Sequence, residues 1–241
     1  INFIKANREK PFLAYLSFYT VHTPIQACKR HLPKFQKKVD ELPDYDGLEF
    51  VEERQGWTKQ RQDNAAYASM VYALDENIGR LMKALDEFKL TDNTVVIFTS
   101  DNGGLSTLGR QGAPTAELPL RAGKGWCYEG GIRVPLIIRA PGVTKPGSES
   151  AEVVTSVDYY ATMLALAGVK AMPDQHVDSV NLMPALQGEA LDREAVFWHY
   201  PHYHGSTWTP GAAVRAGKWK LIEFYEYDAV ELYNLEDDIG E

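Results

Sequence analysis

Thr94-Val95-Val96-Ile97-Phe98-Thr99-Ser100-Asp101-Asn102-Gly103-Gly104 runs from an apolar segment into two polar side chains and two glycines. Residues 94–98 read as a buried parallel strand. In open α/β sheets, ligands bind just outside the carboxyl ends of the strands, and Asp101 and Asn102 stand at that position. One offers a charged oxygen and the other a neutral one, a combination suited to a hard cation such as Ca²⁺ or Mg²⁺. Glycine behind them lets the backbone turn sharply and lets a ligand approach closely. Asp, Asn and Gly are equally the usual residues of a strand-to-loop turn, so this stretch alone leaves both readings open.

The segments on either side decide between them. Arg121-Ala122-Gly123-Lys124-Gly125-Trp126-Cys127-Tyr128-Glu129-Gly130-Gly131-Ile132-Arg133-Val134-Pro135 places a lysine between two glycines. Such a lysine is poorly shielded and meets an anion as a compact point charge. Leu136-Ile137-Ile138-Arg139-Ala140 reads as a further short buried strand, stopped by Pro141-Gly142. Upstream, residues 11–19 (PFLAYLSFY) read as a third apolar strand, and Thr20-Val21-His22-Thr23-Pro24 puts a histidine at its exit.

In order and spacing these segments, FYTVHTP, VVIFTSDNGG, RAGKGWCYEGGIRVPLIIRAPG and VVTSVDYYATMLALAG, resemble the sulfatase family of the alkaline-phosphatase superfamily. The resemblance is strong over residues 10–168 and looser beyond. It implies an α/β fold: part of an alkaline-phosphatase-like mixed or parallel sheet flanked by helices, with a small C-terminal antiparallel β subdomain. It implies that Asp101 and Asn102 are two ligands of a Ca²⁺ ion. It also implies that His22 and Lys124 grip the sulfate oxygens and act in catalysis. The chemistry agrees: cleaving a sulfate ester builds charge on the bridging oxygen, which preorganised cations and donors stabilise.

The pattern departs from the family at one point. The family's nucleophile is a formylglycine made from a Cys or Ser with Pro two places on and Arg four places on. Cys28 begins CKRHL and Cys127 begins CYEGG, and no serine has that pattern either. The family's Asp-Asp metal pair after its first strand also has no match, because Asp237-Asp238 lies in a polar tail. The reading is therefore the later part of a sulfatase, with the nucleophile and half of the metal site outside these residues. Such a chain should be inactive alone.

The 241 residues are 44% hydrophobic and 24% charged, ordinary values for a globular protein. A formal net charge of −8 argues against a general nucleic-acid binder, yet Lys124 and a bound divalent ion would dominate a local anion site. No apolar run is long enough to span a bilayer. Two cysteines cannot make a disulfide framework and read as free thiols. The family resemblance implies a periplasmic or secreted location, and the sequence leaves the oligomeric state open.

Residues 1–184 read as the later part of the catalytic domain and residues 185–241 as the small subdomain. Residues 1–10 look like the end of a helix, and residues 26–62 like a long polar excursion near the site mouth. Tyr67, Val71, Leu74, Ile78, Leu81, Leu85 and Phe88 recur in steps of four and three, predicting one helix with a single apolar face. Ser156-Val157-Asp158 offers caps for a second helix over 159–167, closed by Gly168. Residues 195–198, 212–224 and 230–233 read as antiparallel strands, with a hairpin turn at Ala216-Gly217-Lys218.

His199-Tyr200-Pro201-His202-Tyr203-His204 packs three histidines and two tyrosines into six residues. His202 and His204 are candidates for a substrate-pocket rim that hydrogen-bonds sulfate or sugar hydroxyls. A zinc site and an aromatic packing loop are the other readings. Arg121 and Arg133 suit either anion attraction or structural ion pairs. The function implied is hydrolysis of sulfate esters on a sulfated small molecule or carbohydrate. The rivals are a phosphoesterase or phosphonate hydrolase of the same superfamily, and a non-catalytic binder of sulfated ligands on the same scaffold.

Overall fold

The computed structural model describes all 241 residues. Six helices occur along the chain: α1 (Asn2–Asn7), α2 (Leu32–Asp40), α3 (Ala65–Glu87), α4 (Glu129–Ile132), α5 (Asp158–Leu166) and α6 (Met183–Gln187). The strands are β1 (Phe50–Glu53), β2 (Gly56–Lys59), β3 (Val96–Thr99), β4 (Thr107–Leu108), β5 (Leu136–Arg139), β6 (Val196–Tyr200), β7 (Gly211–Ala216), β8 (Trp219–Phe224) and β9 (Ala229–Asn234). Two compact units result, one of Ile1–Thr94 with Leu105–Ala116, the other of Val95–Gly104 with Glu117–Glu241. No helix is long and apolar enough to cross a membrane.

In the first unit α3 begins at Asn64, whose side-chain oxygen accepts from the Tyr67 N–H at 3.0 Å, an ordinary N-cap. Its buried stripe is Ala65, Ser69, Met70, Ala84 and Leu85, whereas Val71 is 44% exposed. Of the predicted apolar face, Leu85 is buried and Tyr67, Leu74, Ile78, Leu81 and Phe88 are half-buried, so the packed surface is broader than the apolar spacing predicts. Polar contacts extend it. Ser69 Oγ accepts from the Cys28 N–H (2.9 Å), and Glu76 binds Arg30 (2.6 Å) and His31 (3.1 Å). Lys34 lies 3.8 Å from the centre of the Tyr72 ring. The α2 side of α3 is therefore amphipathic, which a search for apolar residues alone does not find.

Residues 26–62 are more ordered than a polar excursion. They hold α2 and the β1–β2 hairpin, which β4 extends through a buried Thr58–Thr107 hydroxyl pair at 2.8 Å. Residues 11–19, in contrast, form no strand, and Leu13 and Tyr15 are 75% and 88% exposed. An apolar run becomes a strand only where a neighbour takes up its backbone N–H and C=O groups, and no strand of the chain is in register with this one.

In the second unit β3 pairs with β5, Ile97 facing Ile138, and the pairing is antiparallel rather than parallel. Parallel neighbours need a crossover, usually helical, and the only helix between these strands is the single turn α4. Neither strand is fully buried; Ile137 is 64% exposed. The C-terminal sheet follows the sequence reading closely. Strands β6-β7-β8-β9 pair antiparallel in chain order, and Gly217 turns the β7–β8 hairpin at φ 55°.

Period-two alternation along β8 turns Lys220, Ile222 and Phe224 inward. There they meet Trp126, Tyr128 and Trp208, with Trp126 stacked on Tyr128 at 5.8 Å and edge-on to Trp208 at 5.7 Å. Lys220, fully buried, is neutralised by Glu129 (3.1 Å) and Glu241 (2.8 Å). Arg121 covers the Tyr128 ring at 4.0 Å and donates to the Tyr233 hydroxyl and the Glu241 carbonyl, a structural placement.

Gly168, at φ 64°, ends α5 with the Val169 N–H on the Leu164 carbonyl, a Schellman-type close. The start of α5 is tied by Asp158, fully buried in its side chain, which accepts from the N–H groups of Thr155 (2.7 Å) and Val180 (2.9 Å) and from Arg193 at 2.5 Å. Burial works to raise the Asp158 pKa. The Arg193 hydrogen bond, the two N–H donors and the guanidinium charge outweigh it and hold the carboxyl below the usual range.

Arg193→Ala is expected to destabilise the fold by roughly 3–5 kcal/mol, the cost of leaving a buried charge unpaired, measured by urea unfolding. Because the folded Asp158 pKa is lowered, its stabilisation is complete above the ordinary carboxylate pKa of about 4 and is lost as pH falls through the folded value. The variant should therefore show a shallower loss of stability on acidification than the wild type.

Candidate functional site

The site is assembled in the second unit from two loops sewn together by main-chain hydrogen bonds. Beyond β3, the Gly103 N–H donates to the Gly131 carbonyl at 2.9 Å, and the Gly104 carbonyl accepts from the Lys124 N–H at 2.8 Å. A side chain at Gly103 would collide with the Gly130 carbonyl, so glycine here is what lets the two loops touch. The loop carrying Asp101 and Asn102 and the loop carrying Lys124 are thereby fixed side by side, as the spacing of the two motifs suggested.

Local bonds set the oxygen donors. The Asn102 N–H donates to Asp101 Oδ1 (3.0 Å), Asn102 Nδ2 donates to the Gly103 carbonyl (3.0 Å), and Ser100 Oγ donates to the Asn102 carbonyl (2.8 Å). Asp101 Oδ2 and Asn102 Oδ1 accept nothing from the chain. These two oxygens fit part of a hard-cation shell by their chemistry. No three His, Cys, Asp or Glu side chains gather to hold a metal ion anywhere in the structure. The zinc reading of the histidine-rich segment therefore has no geometry behind it.

Lys124 is half-buried, and its ammonium is in none of the chain's ion pairs. Next to it Gly125 adopts φ 87°, and a methyl there would collide with His204 Nδ1 and Ser206 Oγ. The β6–β7 loop rests directly on this glycine, and Trp126 Nε1–H secures it by donating to the Ser206 carbonyl at 2.8 Å. His204 thus joins the Lys124 loop. Burial and then the nearby Lys124 charge lower its pKa. His202 stays exposed at the loop surface, its ring 6.3 Å from Tyr200.

Glu117 and Ser206 were not evident from the sequence. Burial raises the Glu117 pKa, partly offset by the Gly104 N–H. Neither sits in a motif, and only folding brings them to the two loops.

His22 belongs to the first unit. It is exposed, lies 5.0 Å from the Tyr19 ring and donates through Nδ1 to the Thr23 carbonyl at 2.7 Å. Tyr19 Oη–H donates to the same carbonyl at 3.0 Å. Nδ1 is therefore occupied and Nε2 is the free ring nitrogen. A cavity of about 300 Å³ adjoins it, lined among others by Thr20, Gln26 and Met70. Both cysteines are free thiols, and burial pushes Cys127 up to about 12. A thiol so held is unreactive, in keeping with its lack of a modification motif.

The sulfatase family profile matches residues 1–169, and that of the N-sulphoglucosamine sulphohydrolase C-terminal region matches residues 122–241. The chain belongs to the sulfatase family. It is 34% identical to a sulfatase of Formosa agariphila, with 98% of this chain and 42% of that protein covered. It is also 34% identical to the steryl-sulfatase of Mus musculus, with 92% and 32% covered. The solved structure of Ps i-CgsB in complex with k-i-k-neocarrahexaose superposes with a TM-score of 0.76 at 31% identity, covering 100% of this chain and 47% of that one. The chain thus spans less than half the length of each of these relatives.

Gly125→Ala should cost about 1–3 kcal/mol from the left-handed backbone alone. The displaced β6–β7 loop should also increase hydrogen exchange at the Trp208 and Lys124 amides, read by mass spectrometry, while β8 and β9 keep their protection.

Proposed function

We propose that this chain forms part of a calcium-dependent sulfatase that hydrolyses sulfate esters, with Lys124 and His22 as catalytic, oxyanion-gripping groups. The observation that carries this is the stitching of the Lys124 loop to the Asp101–Asn102 loop. Those main-chain bonds tie the loop of a lysine without an ion pair to the loop of two unused oxygen donors, which supports the reading. Residues 1–184 would supply the later part of the catalytic domain, and residues 185–241 the C-terminal subdomain that carries His202 and His204.

Asp101 and Asn102 would hold the calcium ion together with ligands from outside these residues. When bound, the ion supplies positive charge to the non-bridging oxygens of the ester. Lys124 adds a second positive charge from the opposite loop, strongest where water is excluded. With Nδ1–H held by the Thr23 carbonyl, His22 would turn Nε2 to the leaving oxygen and would give it a proton from the doubly protonated ring. His204 and His202 would contact the remainder of the substrate, a sulfated carbohydrate or sulfated small molecule. No residue here is assigned to nucleophilic attack. The formylglycine that the family uses would lie outside the 241 residues, and Cys127 is excluded by burial and by its sequence context.

Assays of the sulfatase that contains this chain separate the alternatives. Turnover of sulfate esters well above phosphonate and phosphate esters supports the proposal, and the reverse preference makes it a phosphonate or phosphoesterase. Binding of sulfated ligands with no turnover of any ester makes it a binding protein. Lys124→Ala should lower kcat/KM roughly 100- to 1,000-fold while the melting temperature moves by about 2 °C or less. Asp101→Ala should remove the calcium that co-purifies with the protein, read by elemental analysis, because a charged oxygen ligand is lost.

A further inference from the structure

The His204 ring is held by two contacts from one residue. Ser206 N–H lies 3.1 Å from His204 Nδ1, and Ser206 Oγ lies 2.7 Å from the same nitrogen. A backbone N–H can only donate, so Nδ1 must present its lone pair. The ring proton is then on Nε2, which makes no hydrogen bond within the chain. Ser206 itself is fixed: it is buried at 1% exposure, its carbonyl accepts from Trp126, and its hydroxyl packs against Gly125.

We infer that Ser206 is a positioning residue that locks His204 as the neutral tautomer protonated on Nε2, so that the ring offers a donor beside Lys124 without adding charge. The inference rests on the proposed substrate contact of His204 and goes one step beyond it. Protonating Nδ1 would set N–H against N–H, so the loop itself opposes the imidazolium form. The consequence is a division of labour at the anion end. Lys124 supplies the charge, while His204 supplies a directed hydrogen bond to a sulfate or hydroxyl oxygen. The ring of His22 is held the opposite way, by donation from Nδ1 to a carbonyl, so its neutral form has a lone pair at Nε2 where His204 has N–H.

Histidine-labelled protein tests this by ¹H–¹⁵N correlation of the ring nitrogens at neutral pH, with His204→Gln identifying the His204 signals. The expected pattern is the Nε2–H tautomer in the wild type and in Ser206→Ala as well, because alanine keeps the backbone N–H that donates to Nδ1. A wild-type ring that is protonated on Nδ1, or that is an imidazolium, overturns the inference. So does a Ser206→Ala spectrum in which the ring is protonated on Nδ1. The wild-type measurement stands even if a variant fails to fold. Inorganic sulfate added to the same sample separates the two claims: a shift at His204 Nε2 supports the contact with substrate. An unshifted ring in the expected tautomer overturns the contact while leaving the Ser206 assignment in place.

Discussion

Two backbone hydrogen bonds, Gly103 N–H to Gly131 O and Lys124 N–H to Gly104 O, are the constraint on which the site depends. Each joins segments twenty or more residues apart in sequence, and neither involves a side chain. They fix the position of Lys124 relative to Asp101 and Asn102 before any ion binds. A preorganised cation is worth more to catalysis than one drawn into place during reaction, because reorganisation has already been met during folding. Glycine at 103 is required by this closeness, since a side chain there would meet the Gly130 carbonyl, and glycine at 125 is required by His204 and Ser206 of the β6–β7 loop.

The cost of holding an unpaired lysine is met by the surrounding core. Trp126, Tyr128 and Trp208 anchor one end of the loop against β8, and the Lys220–Glu129–Glu241 cluster pins α4 beneath it. Buried ion pairs of this kind add little net stability but penalise any arrangement that breaks them. The cluster therefore acts on the conformation of the lysine loop more than on the stability of the fold. Hydrophobic packing, charge pairing and main-chain bonding all converge on residues 121–132.

Much of this was legible in the sequence, for identifiable reasons. Strands β6 to β9 show the alternation and the Gly217 turn that local rules detect, and Gly168 marks the end of α5. Lys124 and Asp101 stand out as candidates because their residue types and order can be picked out before any tertiary contact is known. Residues 11–19 and the β3–β5 pairing were misread because an apolar run reveals neither its partner nor the direction of pairing. Part of the packed surface of α3 was hidden because buried Ser69 and half-buried Glu76 are held there through hydrogen bonds, which hydrophobic periodicity does not register. Ser206 and Glu117 carry no local signal at all; their significance comes only from the loops they touch.

The most direct test of the account is a crystal structure of the protein grown with calcium and inorganic sulfate. The account predicts sulfate within hydrogen-bonding distance of Lys124 Nζ and His204 Nε2, with calcium on Asp101 and Asn102. Ordered ions bound elsewhere, with Lys124 turned away into solvent, would contradict it.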